Sequence, residues 1–181
     1  MKGAVFIALN DFIEEGFGIE AWENILNEAA PPSGGVYTSV QNYDDTELVA
    51  IVHAVCRQLE LDKGQALRLF GDYLFATLNK KHPIFTSLQP DLFKFLASVE
   101  GVVHVEVKKL FAGVQLPTMK TIEQSDNHVV LHYESARKMC ELTEGLIQGA
   151  AKYYGIEVNV SQRCCYHNGD DCCEIEVRQL G

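Results

Sequence analysis

The spacing of apolar residues is helical through the first half of this chain and mixed with period-two alternation in the second, and that contrast limits what it can fold into. Up to about Phe111 they recur every three to four residues. Val5, Leu9, Phe12 and Ile13 form one stripe and Trp22, Ile25 and Leu26 another, with Gly16 and Gly18 dividing the run into two helices. Pro31-Pro32-Ser33-Gly34-Gly35 then stops helix formation. Tyr43-Asp44-Asp45-Thr46-Glu47 has the acidic first turn of a new helix, continued by Leu48, Ile51, Val52, Val55 and Leu59. Asp62 is placed to cap another, carrying Ala66, Leu69, Phe70, Tyr73 and Leu74, and Leu92 to Phe111 predicts a helical stretch interrupted near Gly101. Pro117 falls in a loop. After it the period drops to two: Val129, Leu131 and Tyr133 alternate with Val130, His132 and Glu134 in a strand running to Arg137. Lys138 to Tyr154 returns to helix, Ile156, Val158 and Val160 alternate again, and a turn at His167-Asn168-Gly169-Asp170-Asp171 leads to a partner strand with Ile175 and Val177. The expected class is α+β, an N-terminal helical subdomain packed on a C-terminal subdomain of helices and a small antiparallel sheet.

A chain of 181 residues is the size of one ordinary domain. Its 25 acidic and 15 basic residues give a formal charge of -10, which opposes broad contact with nucleic acid or an anionic membrane, so neither is expected as a partner. Asn10, Asp11, Glu14 and Glu15 interrupt the apolar N-terminus before a signal-peptide core or membrane span develops. A cytoplasmic location is expected. The six cysteines then belong to a reducing compartment, where thiols act as metal ligands, redox sensors or buried apolar groups.

Period-two geometry puts Tyr133, Ser135 and Arg137 on one face of their strand, two hydroxyls and a guanidinium converging on one spot. Such a set suits carboxylates at the edge of an apolar pocket, or is simply a solvated strand face. His104 lies in Val102-Val103-His104-Val105-Glu106-Val107, where an imidazole among valines is either a core histidine or a ligand to something apolar. Cys165-x-His167 and Cys173 flank the turn at Gly169, so that opposing hairpin strands bring thiols within reach of one tetrahedral ion, with Cys140 on the preceding helix as a further candidate ligand. There is no G-x-G-x-x-G, P-loop, H-E-x-x-H or C-x-x-C, and no enzyme activity is expected.

Taken together, Met1-Lys2-Gly3 with Asp11, Phe12 and Trp22, the segment His104 through Leu110, Pro117 and Tyr133-x-Ser135-x-Arg137 resemble the H-NOX family of haem nitric oxide/oxygen binding domains, over essentially the whole chain and in the family's order. The resemblance implies a single domain, 1–181, in which about 1–62 form a distal helical subdomain and about 63–181 a proximal one. It makes His104 the axial ligand to a b-type haem. Tyr133, Ser135 and Arg137 hold the propionates, and Pro117 presses on the macrocycle and distorts it. Val5, Leu9, Phe70, Leu74 and Leu146 are then candidate walls of the distal pocket, or ordinary core. Oxygen-binding members carry a tyrosine on the helix after Y-x-S-x-R, and Leu142 stands at that position here. Without that hydroxyl an Fe-O2 unit lacks a hydrogen bond, so nitric oxide, and also carbon monoxide, are the expected ligands.

The resemblance also bears on the cysteines. Some bacterial members hold a structural zinc through the equivalents of Cys140, Cys165 and Cys173 plus a histidine whose position is Gln162 here, which leaves the fourth place to His167 or Cys164. A thiol redox switch and unliganded cysteines are the alternatives. The implied function is a sensor in which nitric oxide breaks the Fe-His104 bond and the response passes to a separate signalling enzyme, a histidine kinase or a cyclic-dinucleotide enzyme. The rival reading is a zinc-stabilised or thiol redox-sensing interaction domain without haem.

Overall fold

A computed structural model describes all residues 1–181. The N-terminal half is helical: α1 (Gly3–Phe17), α2 (Ile19–Ala29), α3 (Asp45–Gln58), α4 (Lys63–Lys81), the single turn α5 (Ile84–Ser87) and α6 (Leu92–Ser98). Aspartates start three of them. Asp44 accepts from the Thr46 amide at 2.8 Å, Asp62 from Gly64 at 2.7 Å and Asp91 from Lys94 at 2.8 Å. Gly18, at φ 91°, makes the break between α1 and α2. The interruption expected near Gly101 is a widened π-type turn, Val99–Val103, and α7 (His104–Leu110) follows it directly.

The second half holds β1 (Thr118–Ser125), β2 (His128–Glu134), α8 (Cys140–Tyr154), β3 (Val158–Cys164) and β4 (Cys173–Gln179), with a short 3-10 turn at Tyr166–Asn168. The four strands form one antiparallel sheet in the order β1-β2-β4-β3. The alternation predicted β2, β3 and β4 but not β1. A bulge between Thr121 and Glu123 shifts the register of β1, and Ile122 is left exposed, so an apolar alternation never forms there.

Two cores result. Phe6, Leu9, Ile13, Trp22, Ile25, Leu48, Ile51 and Phe70 belong to the first, between α1, α2, α3 and α4. The second lies between α6, α8 and the sheet, built from Leu92, Phe93, Leu131, Ile147, Ile175 and Val177. Helices α4 and α8 run through the junction: Ala66, Leu67, Phe70 and Leu74 of α4 and Leu142 of α8 join the first core, Phe75 and Ile147 the second. They approach closely because glycines face each other there. A Cβ on Gly71 would lie 2.8 Å from the Gly145 Cα, and one on Gly145 would lie 2.9 Å from the Arg68 Cα. No helix is long and apolar enough to cross a membrane.

Candidate functional site

Where α1, α4, α7, α8 and the end of β2 meet, the two cores leave a cavity of about 660 Å³. Its walls are mostly apolar, with Val5 from α1, Leu74 from α4, Val107 from α7 and Leu142 and Leu146 from α8. Leu9 and Phe70, expected as further pocket walls, do not reach it. Both are packed in the first core, one layer behind.

His104 opens α7 immediately after the π-type turn, its amide bonded to the Val99 carbonyl five residues back. Its ring lines the cavity and only 8% of the residue is exposed. Nδ1 lies 3.0 Å from Glu100 Oε2, and the same oxygen accepts from the Met119 backbone amide of β1 at 2.9 Å. Burial works against charge on Glu100, but the hydrogen bonds from Met119 and His104 outweigh it and keep the carboxyl below its ordinary range. Burial pushes the imidazole down in turn, against the opposing pull of Glu100. An ionised carboxylate can only accept, so the neutral ring carries its proton on Nδ1 and keeps a lone pair on Nε2. Glu100 was absent from the expected site. Its only signal in the sequence is a carboxylate four residues before the histidine, a spacing that any solvated helix also shows.

Tyr133, Ser135 and Arg137 all line the same cavity, though not by strand geometry, because β2 ends at Glu134 and the chain turns. The Tyr133 hydroxyl, nearly fully buried, accepts from the Met139 amide at 3.2 Å. Ser135 Oγ accepts from the Arg137 amide at 3.2 Å. The Arg137 guanidinium donates to Asp45 Oδ2 at 2.7 Å and to the Gln115 carbonyl at 2.9 Å, and Asp45 also takes the Met1 ammonium at 2.7 Å. At the cavity rim, then, Arg137 already holds one carboxylate, that of α3. In the sequence Asp45 shows only as part of a helix start. Pro117 is in the lining next to Leu116 and Met119.

The cysteines separate into two groups. The thiols of Cys140, Cys165 and Cys173 are buried together, with Cys165 Sγ 3.6 Å from each of the other two. Two thiolates on one tetrahedral ion at about 2.3 Å per bond are about 3.8 Å apart, so the trio fits three corners of such a site. For the fourth, Gln162 offers none of the imidazole, thiolate or carboxylate groups that zinc usually takes. Its amide nitrogen donates to Glu144, and its Oε1 is buried without a hydrogen-bond partner. Of the two candidates for that place, Cys164 faces away and meets Cys172 at 3.7 Å, whereas a His167 ring nitrogen lies within 4.8 Å of the Cys140 thiol and bonds to the Lys138 carbonyl at 3.0 Å.

Haem needs an apolar slot, a neutral donor facing its iron, and cationic or hydroxyl donors where its carboxylates emerge. This cavity offers all three, and its volume falls within the about 300–1,000 Å³ of small-molecule and cofactor sites. The donor set fits the group.

Relatives with known structures share this arrangement of elements. The chain is 30% identical to an H-NOX protein from S. oneidensis solved in the Fe(II)NO ligation state, with a TM-score of 0.93 over 100% of both chains. It is 31% identical to an H-NOX from Shewanella woodyi, with a TM-score of 0.84 over 99% of this chain and 95% of that one. An H-NOX protein from K. algicida, 24% identical, has the same fold, with a TM-score of 0.93 over 100% of this chain and 97% of that one. Soluble guanylate cyclase gcy-32 of Caenorhabditis elegans is 23% identical over 98% of this chain, and the match covers 27% of the cyclase, so the chain spans about a quarter of the length of the curated relatives it matches. The family model described as haem-NO-binding matches residues 2–162. The chain therefore belongs to the haem-NO-binding, or H-NOX, family.

Proposed function

We propose that this chain is a non-catalytic nitric oxide sensor that binds ferrous b-type haem through His104 and passes its response to a signalling enzyme. The observation that carries the reading is the His104 ring, neutral and held by Glu100 at Nδ1, with Nε2 left to the apolar cavity. When bound, the haem would supply a ferrous iron able to take nitric oxide, with His104 holding it and that hold weakened by the gas.

His104 is the movable end of α7, and its release lets that helix shift. Lys2 spans the same region, its Nζ donating to the Val40 carbonyl at 2.9 Å and the Ala112 carbonyl at 3.1 Å. The Asp45–Arg137 pair is a second tie between the N-terminal helices and the C-terminal subdomain. Movement at His104 is therefore felt at the N-terminal helices. Tyr133, Ser135 and Arg137 are assigned to the propionates, with Arg137 exchanging or sharing Asp45, and Pro117 to shaping the macrocycle. Leu142 and its apolar neighbours give an Fe-O2 unit no hydroxyl and leave nitric oxide and carbon monoxide as the ligands taken up. The enzyme reached is a histidine kinase or a cyclic-dinucleotide enzyme, as the resemblance implies.

Substituting His104→Gly tests the axial assignment. The variant is expected to lose haem during purification and to recover it with a shifted Soret band when imidazole is added, because the small base fills the cavity left behind. Unchanged haem content and spectrum without imidazole would assign the iron to another residue.

The thiol trio supports a structural zinc as a second element of the reading. Burial pushes the Cys140 and Cys173 thiols up, so without an ion they stay protonated, and metal must displace protons to bind. About one zinc per chain is expected, lost with Cys165→Ala or Cys173→Ala together with stability of the hairpin. Metal analysis that finds none in protein kept reduced would leave the trio as unliganded or redox-active thiols.

A further inference from the structure

We infer that Glu100 is a positioning residue for the axial ligand, its carboxylate fixing the His104 ring by Nδ1, strengthening Nε2 as a donor and tying the ring to the sheet through Met119. The inference rests on the reading of His104 as the iron ligand and deepens it.

Three features of the fold make the contact specific. Glu100 sits in the π-type turn that precedes α7, and such insertions concentrate where a helix must aim a functional side chain. One oxygen, Oε2, serves both partners, His104 Nδ1 at 3.0 Å and the Met119 amide at 2.9 Å. The carboxylate is thus anchored by a β1 backbone group that cannot rotate away, and the ring is held against it. A histidine that donates the N–H of its other ring nitrogen to a carboxylate gains imidazolate character, which raises its basicity toward a metal and fixes its tautomer. Here the charge is not neutralised by a close cation. No lysine or arginine pairs with Glu100, and Lys108 acts on it only through space.

A mechanical consequence follows. When His104 is released from iron, Glu100 keeps the ring oriented toward the site from which it left, and any shift of the π-type turn is passed to β1 at Met119. Glu100 therefore sets both how firmly the ligand is held and where its movement goes.

The test compares Glu100→Gln and Glu100→Ala with the wild-type haem protein. Glutamine is isosteric and can still accept from Nδ1 and Met119, so it keeps the geometry and removes only the charge. The inference expects Glu100→Gln to lower the iron–histidine stretching frequency of the ferrous protein by resonance Raman and to move the midpoint potential positive. A larger fraction of His104 should also be released at a fixed, limiting nitric oxide concentration. Glu100→Ala should do all three more strongly and weaken haem retention by about 10- to 100-fold. In nitrogen-15-labelled wild-type ferrous protein with carbon monoxide, a hydrogen-bonded His104 Nδ1 proton should be visible and should shift in Glu100→Gln, which gives a readout even if the alanine variant folds poorly. An unchanged stretching frequency, potential and Nδ1 proton in Glu100→Gln would overturn the inference while leaving His104 as the ligand. Should His104→Gly instead have the wild-type spectrum without imidazole, the sensor reading fails, and the role of Glu100 falls with it.

Discussion

Asp45 and Arg137 make a part-buried ion pair at the rim of the site, and its energetics can be worked out from charge. Burial opposes ionisation of Asp45, but hydrogen bonds from the Met1 ammonium and Arg137, and their charges, hold its carboxyl below the usual aspartate range. A group depressed on folding contributes stability that is present above its unfolded value, about 3.9, and that is lost as pH falls through the folded value. The Asp45 side chain is 36% exposed, so the gain is that of a screened pair, about 0.2–1 kcal/mol. Urea unfolding of Asp45→Asn should accordingly show a deficit of this size at pH 7 that closes below about pH 4. A deficit that is the same at pH 7 and pH 3 would mean that packing, not charge, accounts for it. At this scale His104, Tyr133, Ser135 and Arg137 are visible in the sequence because their spacing is specific. Glu100 and Asp45 are not, since an acidic residue near a helix start has the same appearance whether it caps, is solvated or holds an imidazole. Leu9 and Phe70 were read one layer too far forward, because periodicity tells which face of a helix is buried and not whether that face meets a cavity or another helix.

Among the elements, α4 and α8 set the distance between the two cores. Gly71 and Gly145 let these helices touch along their backbones, and a methyl group at either position would press on the main chain rather than on a movable side chain. Gly71→Ala should cost about 1–3 kcal/mol by overpacking, and should also spread the α4 and α8 walls that carry Leu74 and Leu142. Thermal unfolding of the apoprotein measures the first effect and the carbon monoxide rebinding rate of the haem protein the second. An alanine variant as stable as wild type would show that the helices can separate without cost. The helices and three of the strands are legible from periodicity because each buries one regular face. The strand β1 is not, since its bulge and the exposed Ile122 erase the alternation, and neither is the junction of the cores. The expected boundary near residue 62 falls where α4 begins, yet the first turns of α4 complete the N-terminal core.

The molecule as a whole is a cavity between two packed units, bridged by polar ties from Lys2 to Ala112 and from Asp45 to Arg137, while Glu100 to Met119 joins the His104 turn to the sheet within the second unit. That arrangement suits a protein whose signal is a small relative movement, since a ligand shifts such an equilibrium only through its different affinity for two states. Binding with His104 attached and binding with His104 released are those states in this account. On the proposed reading the distal wall selects the gas: Leu142, with Val5, Leu74 and Leu146 beside it in the cavity lining, would offer no hydroxyl to bound oxygen. The absorption spectrum of the ferrous protein, recorded in air and after addition of nitric oxide, decides whether this is such a sensor. No stable oxygen complex is expected in air and, with nitric oxide, the Soret band should shift to the position of five-coordinate iron from which His104 has been released. A persistent oxy spectrum, or a nitric oxide complex that stays six-coordinate with His104 bound, would contradict the sensor reading.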